Sequence, residues 1–389
     1  MGHGINVRET VEDRDTWFNV KHFTIGDVSF TRPEKSLDIK PIDKQVYSLV
    51  SRTTPFKFAE SSRRIPKFEH LVELYQESDE NRINEMFSKR AWLNGAPCVL
   101  NFTLGFNPMT HADQKKVFES FLDYYYSYSN FFLTVPNIRT KKWVMKTEDS
   151  PSHVVEVANR EDYIKSVDLF YDILSAKNKK PIFVPISVRM SAQDLDELLN
   201  HYVKRERFAY WIDFDGSAIN PTTLSRLRYL FRRIKDKGRF KDTVTYFTNV
   251  KREIISNVKK EKSEASDILC SAAGANLIGC NREPTRMFLT KPPPVPPEHK
   301  ARIFDSESYY YVKTRSQRLF QPKMYVTENA VRLSSEIGNQ TEFFLSKGGL
   351  EPLLSSKEML ATYRDKEVLR NLVSKRDDEG PPRFEDFIG

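Results

Sequence analysis

Ile182-Phe-Val-Pro-Ile-Ser-Val188, Phe208-Ala-Tyr-Trp-Ile-Asp-Phe214 and Thr243-Val-Thr-Tyr-Phe-Thr248 are short, β-rich apolar runs, and a polar stretch with helical spacing follows each. A fourth run, Asp267-Ile-Leu-Cys-Ser271, leads into Ala275-Asn-Leu-Ile-Gly279. Strands alternating with helices at this spacing imply crossover units and a parallel sheet buried on both faces. The expected fold is an α/β (β/α)8 TIM-type barrel, decorated or irregular, with an N-terminal arm and a C-terminal extension. An open doubly wound sheet is the alternative. In either fold, chemistry gathers at the carboxyl ends of the strands.

The helices between these runs carry their own signals. Ser191-Ala-Gln-Asp194 resembles a capping box, and Leu195, Leu198, Leu199 and Tyr202 follow on one face. Pro221 suits the first turn of a helix that turns Leu224, Leu227, Phe231 and Ile234 inward and its arginines outward. Upstream, Cys98-Val-Leu-Asn-Phe-Thr-Leu-Gly-Phe106 and Phe131-Phe-Leu-Thr-Val135 read as strands, the second stopped by Pro136. A helix is expected after Thr110, with Val117, Phe118, Phe121, Leu122 and Tyr125 on one face, and another from Asp162 to Ala176 with Tyr163, Val167, Phe170 and Leu174 as its stripe. Val20 to Phe30 reads as one or two strands turning at Gly26-Asp27, and a hairpin is expected near Trp143. Residues 1–90 are taken as an arm and helix packed on the barrel, and 91–290 as the barrel core. Residues 291–389 are taken as an extension that opens on the proline-rich connector Lys291-Pro-Pro-Pro-Val-Pro-Pro297.

The 389 residues include 17 Tyr and 27 Phe, enough for a substantial core. No run approaches a membrane span, and the first residues lack the apolar stretch of a secretion signal. Three cysteines cannot form a disulfide framework. An intracellular, cytoplasmic location is expected. Phosphate-cradling GxxxxGK[ST], GxGxxG, HExxH, CxxC and GxSxG patterns are all absent. Net charge is +8, and residues 226–262 hold thirteen Lys/Arg against four Asp/Glu. This concentration predicts a nucleic-acid backbone contact through Arg226, Arg228, Arg232, Arg233, Lys235, Lys237 and Arg239. The plain alternative is the solvated face of one helix.

Asp213 and Asp215 lie two apart at the end of an aromatic strand, so their side chains should share a side, beside Gly216. Such a pair suits acid–base catalysis, with Asp215 as base or nucleophile and Asp213 as its partner, or a divalent cation. The structural alternative is a cap and a loop acceptor. Arg189 should project at the same rim and suits anion recognition. Asn101, Thr103 and Asn249 offer short polar groups to a base or sugar. Ser271 and Gly274 belong to a small-residue loop that an anion could approach closely, although tight strand packing explains such a loop equally well.

Residues 180–282 resemble the second half of the barrel in tRNA-guanine transglycosylases. Pro181-Ile-Phe-Val-Pro-Ile-Ser-Val-Arg-Met190 is similar to that family's substrate-base strand and helix. Phe208-Ala-Tyr-Trp-Ile-Asp-Phe-Asp-Gly216 stands at its Gly-rich strand. Thr245-Tyr-Phe-Thr-Asn-Val-Lys-Arg-Glu-Ile254 resembles the approach to its catalytic strand. There Cys270 occupies the position of the family's nucleophilic aspartate, and the family's zinc-binding Cys/His cluster has no counterpart. The resemblance implies a diverged, transglycosylase-like protein acting on a nucleobase of tRNA or DNA, with protein partners on the arm and extension. A non-catalytic scaffold barrel and a small-molecule barrel enzyme for a phosphorylated substrate are the alternatives.

Overall fold

The computed structural model describes residues 4–53, 56–65, 69–76, 83, 96–105, 111–138, 159–177, 179–254, 261–282, 301–362 and 366–375. Among these, eight parallel strands close into a barrel. In chain order they are Glu34–Lys35 continued by Leu37–Asp38, Ala59–Ile65, Cys98–Leu104, Leu133–Thr134 continued by Asn137–Ile138, Ile182–Ser187, Ala209–Asp213, Val244–Thr248 and Leu277–Ile278. The first strand pairs with the eighth through Glu34–Lys35 and with the second through Leu37–Asp38. The fourth strand divides in the same way. Leu133–Thr134 pairs with the fifth strand and Asn137–Ile138 with the third. Pro136 sits at that division, where a residue without an N–H interrupts no ladder bond. The expected (β/α)8 barrel is therefore the fold, and the open sheet is excluded by closure at the first strand.

Side chains alternate across the wall, as strand geometry requires. In the sixth strand Tyr210 and Ile212 pack under the helices, while Trp211 and Asp213 point into the barrel. The surrounding helices bury the faces their spacing predicts: Phe118, Phe121, Leu122 and Tyr125; Tyr163, Val167, Phe170 and Leu174; Leu195, Leu198, Leu199 and Tyr202. Ser191 caps the Ala192–Lys204 helix by accepting from Asp194 N at 3.1 Å. Asn220 and Thr223 form a capping box ahead of the Pro221–Asp236 helix.

The N-terminal segment does more than wrap the barrel. Asn19–Ile25 pairs antiparallel with Ile5–Glu12 and Val28–Phe30, and Phe23, Ile25 and Phe30 plug the barrel floor. They meet Val99, Phe132, Phe183, Trp211 and Val244 there. Two barrel strands also come from residues 1–90, so the core is not confined to 91–290. The polar sequence of the second strand (AESSRRI) hides it from a reading that looks for apolar runs.

The expected strand 267–271 is instead a 3-10 helix, Asp267–Cys270, whose Ile268 and Leu269 pack outside the wall. The eighth strand is only Leu277–Ile278. Beyond it, Arg302–Asp305 and Tyr310–Lys313 join Glu253–Ile254 and Lys262–Ala265 in an outer antiparallel sheet. The 26-residue helix Pro322–Lys347 then lies against the first strand, covering the seam. The hairpin near Trp143 and the proline-rich connector fall outside the described residues.

Candidate functional site

Asp213 ends the sixth strand and is wholly buried. Its carboxyl accepts four bonds. Asn249 Nδ2 at 2.8 Å and the Asp215 N–H at 2.9 Å reach Oδ1. Asn137 Nδ2 at 2.7 Å and Thr103 Oγ1 at 3.3 Å reach Oδ2. The amides are themselves held: Asn137 Oδ1 accepts from Tyr163 OH, and Asn249 Oδ1 accepts from Ser62 Oγ at 2.7 Å. Side chains from the third and fourth strands and from the end of the seventh thus meet on this one carboxyl of the sixth, with Ser62 of the second strand one bond removed. Burial pushes that carboxyl above the usual carboxylate range, and the neighbouring Asp215 charge adds to the effect.

Asp215 stands one layer further out, with φ of 43°, and Asn249 has φ of 56°. Left-handed backbone at non-glycine residues is uncommon, and such residues cluster where a site dictates geometry. Arg189 Nη1 lies 3.3 Å from Asp215 Oδ2 and Arg282 Nη1 3.7 Å from Oδ1. Arg189 also donates to Asp215 O at 2.9 Å and to Ser217 Oγ at 3.2 Å. The side chains of Asp215, Arg189 and Arg282 are 12%, 19% and 17% exposed. This trio borders solvent at the carboxyl end of the barrel, with the Asp213 network beneath it.

A second buried group occupies the opposite wall. Glu60 accepts from Asn101 Nδ2 at 2.7 Å, Ser36 Oγ at 3.0 Å and Cys280 N at 2.7 Å. Lys35 donates to Gly279 O and lies 3.4 Å from Asn281 Oδ1. Gly279 has no side chain because a Cβ would stand 2.3 Å from Glu60 Oε2. Asp267 accepts from Tyr311 OH and Asn281 Nδ2, and burial raises it to about 6.

Of the residues singled out in the sequence, Asp213, Asp215, Arg189 and Asn249 come together. Asn101 does face the interior, but it is consumed one layer deeper by Glu60 and Tyr246. Cys270 is not at a strand end. It is buried in the outer layer, where desolvation pushes its thiol far up and leaves it unreactive. Ser271 Oγ donates to Gln340 and Ile268 O, and Gly274 faces the Phe231 ring ahead of the eighth strand, so neither reaches the mouth. The Asp213/Asp215 pair does not present two oxygens to a cation: one carboxyl is filled by donors and the other by guanidinium groups. Among the described residues no group of three or more His, Cys, Asp or Glu is arranged to hold a metal ion. Arg282, Asn137 and Ser62 were missed, since each lies in a short or polar strand end with no local signature.

The basic stretch does not form a free cationic face. Arg232 is buried. Arg233 pairs with Asp196 at 2.7 Å, and Arg226 donates to Val188 O at 3.0 Å. Arg228 and Lys237 donate to Asn371 and Asn200, and Arg239 lies over the Phe208 ring. Lys235 is likewise engaged.

No family model matches the sequence, and no curated protein matches it. Among solved structures, an endo-β-1,4-mannanase double mutant of Cellulomonas fimi is similar at TM-score 0.39 and 10% identity, over 67% of this chain and 68% of that one. A glycoside hydrolase family 30 subfamily 8 xylanase from Clostridium acetobutylicum is similar at TM-score 0.40 and 11% identity, over 64% of each chain. The nucleic-acid expectation is corrected: the cations meant for a phosphate backbone are buried or engaged within the protein. Among the described residues no helix is long and apolar enough to cross a membrane.

Proposed function

We propose that this chain is a carbohydrate-directed barrel protein whose carboxyl-end mouth binds sugar hydroxyls around Asp215. The observation carrying this reading is the bracketing of a partly exposed Asp215 carboxylate by Arg189 and Arg282. The two guanidinium groups share one carboxylate, so the mouth presents acceptor oxygens among its donors rather than a purely cationic cradle. Hydroxyl pairs need acceptors and donors side by side: the Asp215 oxygens accept, the arginine N–H groups donate, and the Ser217 and Ser62 hydroxyls can do either. Asp213 acts as a positioning residue, because its four acceptor positions are taken and it cannot touch a ligand.

Bond cleavage would need a second carboxyl about 5–9.5 Å from Asp215, so binding is the primary claim. Titration calorimetry with β-1,4-linked manno-, xylo- and gluco-oligosaccharides tests it, together with an assay for new reducing ends. At least one oligosaccharide should bind, and Asp215→Asn should weaken it at least tenfold while the protein stays folded. Failure of every glycan to bind, or equal binding by the variant, would remove this reading.

A further inference from the structure

Glu60 and Ser62 both face the barrel interior, where Glu60 accepts from Asn101 and Ser62 Oγ donates to Asn249. Side chains alternate along a strand, so Arg64, the next residue on that face, points inward at the carboxyl end. Its register partner on the third strand is Thr103, whose hydroxyl donates to Asp213. The second strand stands across the barrel from the sixth, so Arg64 and Asp215 face each other over the mouth. Arg64 is partly exposed, and its guanidinium has no hydrogen bond, ion pair or ring contact among the described residues. Only its Nε is sealed from solvent, which leaves both Nη groups open. Arg282 reaches Asp215 only at 3.7 Å, beyond hydrogen-bond distance, and its donors are likewise unfilled among the described residues. The deeper acids Glu60 and Asp38, paired in register, take donors of their own. The mouth thus sets Arg64, Arg189 and Arg282 against Asp215 and the buried Asp213.

We propose, resting on the carbohydrate reading above, that the sugar taken by this mouth is an acidic one. A hexuronate would set its carboxylate on the Arg64 guanidinium and its hydroxyls around Asp215. A guanidinium held against a barrel wall without an acceptor has lost hydration that a ligand anion restores. A carboxylate brings one charge and two oxygens in the plane of the arginine fork, the bidentate match. A phosphate monoester brings about 1.5 to 2 negative charges, more than one unanswered arginine offsets, and would press on the Asp215 carboxylate.

Titration calorimetry on the full chain tests this with oligomers of β-1,4-linked glucuronate and mannuronate, each beside its methyl ester. The ester keeps every ring hydroxyl and removes only the charge. An acid should bind at least tenfold more tightly than its ester. Arg64→Gln should bring acid and ester within about twofold of each other. It should leave the urea midpoint unchanged, because the side chain it replaces has no partner to lose. Arg64→Lys, which keeps the charge without the fork, should retain a preference of about threefold. Asp215→Asn should weaken acid and ester alike. Esters that bind as tightly as acids would overturn the acidic-sugar assignment and leave the carbohydrate reading standing. So would an acid preference that survives Arg64→Gln, or glucose 6-phosphate held more tightly than any uronate. Failure of acids, esters and neutral oligosaccharides together would remove both.

Discussion

Asn249 Nδ2 donates to Asp213 Oδ1 at 2.8 Å, tying the end of the seventh strand to the end of the sixth inside the barrel. The same oxygen takes the Asp215 N–H, so the turn that presents Asp215 is anchored from below. Removing the Asp213 carboxyl would strand four buried donors, and unpaired buried donors cost about 1–3 kcal/mol each before relaxation. Asp213→Ala should therefore lower unfolding stability by about 3 kcal/mol or more. Asp213→Asn, which keeps one acceptor oxygen and the shape, should cost clearly less. Urea unfolding of both variants checks the order. Equal losses would mean that the carboxyl does not anchor the network.

Gly279 is a site where a methyl group does not fit. Its added Cβ would lie 2.3 Å from Glu60 Oε2 of the second strand and 2.6 Å from Thr248 Cγ2 of the adjoining seventh strand. Gly279→Ala should destabilise the fold by about 1–3 kcal/mol through overpacking. Thermal unfolding measures it, and an unchanged melting temperature would contradict the close approach.

Asp267 gives a pH signature. Its carboxyl titrates near 4 when unfolded and is raised by burial to about 6 in the fold. A raised carboxyl binds its proton more tightly when folded, so its contribution is fully present below about pH 4 and is lost as pH rises through 6. Two units correspond to roughly 3 kcal/mol. Asp267→Asn should flatten the fall in stability between pH 4 and 6 relative to the parent, as read from urea midpoints at half-unit steps.

Cys98, Cys270 and Cys280 are all buried, and desolvation pushes the thiols of Cys270 and Cys280 well above their ordinary range. The native protein should react with Ellman's reagent at least a hundredfold more slowly than the denatured chain, which should titrate three thiols. One rapidly reacting native thiol would refute the packing around it.

Much of the barrel was readable where strands are buried on both faces. Ile182–Ser187, Ala209–Asp213 and Val244–Thr248 announce themselves as apolar runs, and Ser191 and Pro221 mark their helices. The reading fails where the barrel interior turns polar. Glu60, Ser62 and Arg64 belong to a strand, yet their alternation resembles a loop. Ile268 and Leu269 mislead in the opposite sense, because an apolar run can pack outside the wall as a single helical turn. Asp215, Arg189 and Asn249 were legible because strand ends point at a common rim. Arg282, next to them in space, follows a two-residue strand that no periodicity can reveal. The cluster of arginines in 226–262 misled through composition, since charge counted along a chain says nothing about which carboxylates and carbonyls it will meet.

The seam between Glu34–Lys35 and Leu277–Ile278 has a bearing on biosynthesis. A nascent chain halted before the eighth strand exposes two unsatisfied edges, and Asn19, whose Oδ1 accepts from Asn276 Nδ2, still lacks its partner. Closure has to wait until most of the polypeptide has left the ribosome, which makes folding slow and the partly made product prone to clumping. A gene cut past Glu34 from one side or past Ile278 from the other would deprive the cylinder of its last stave.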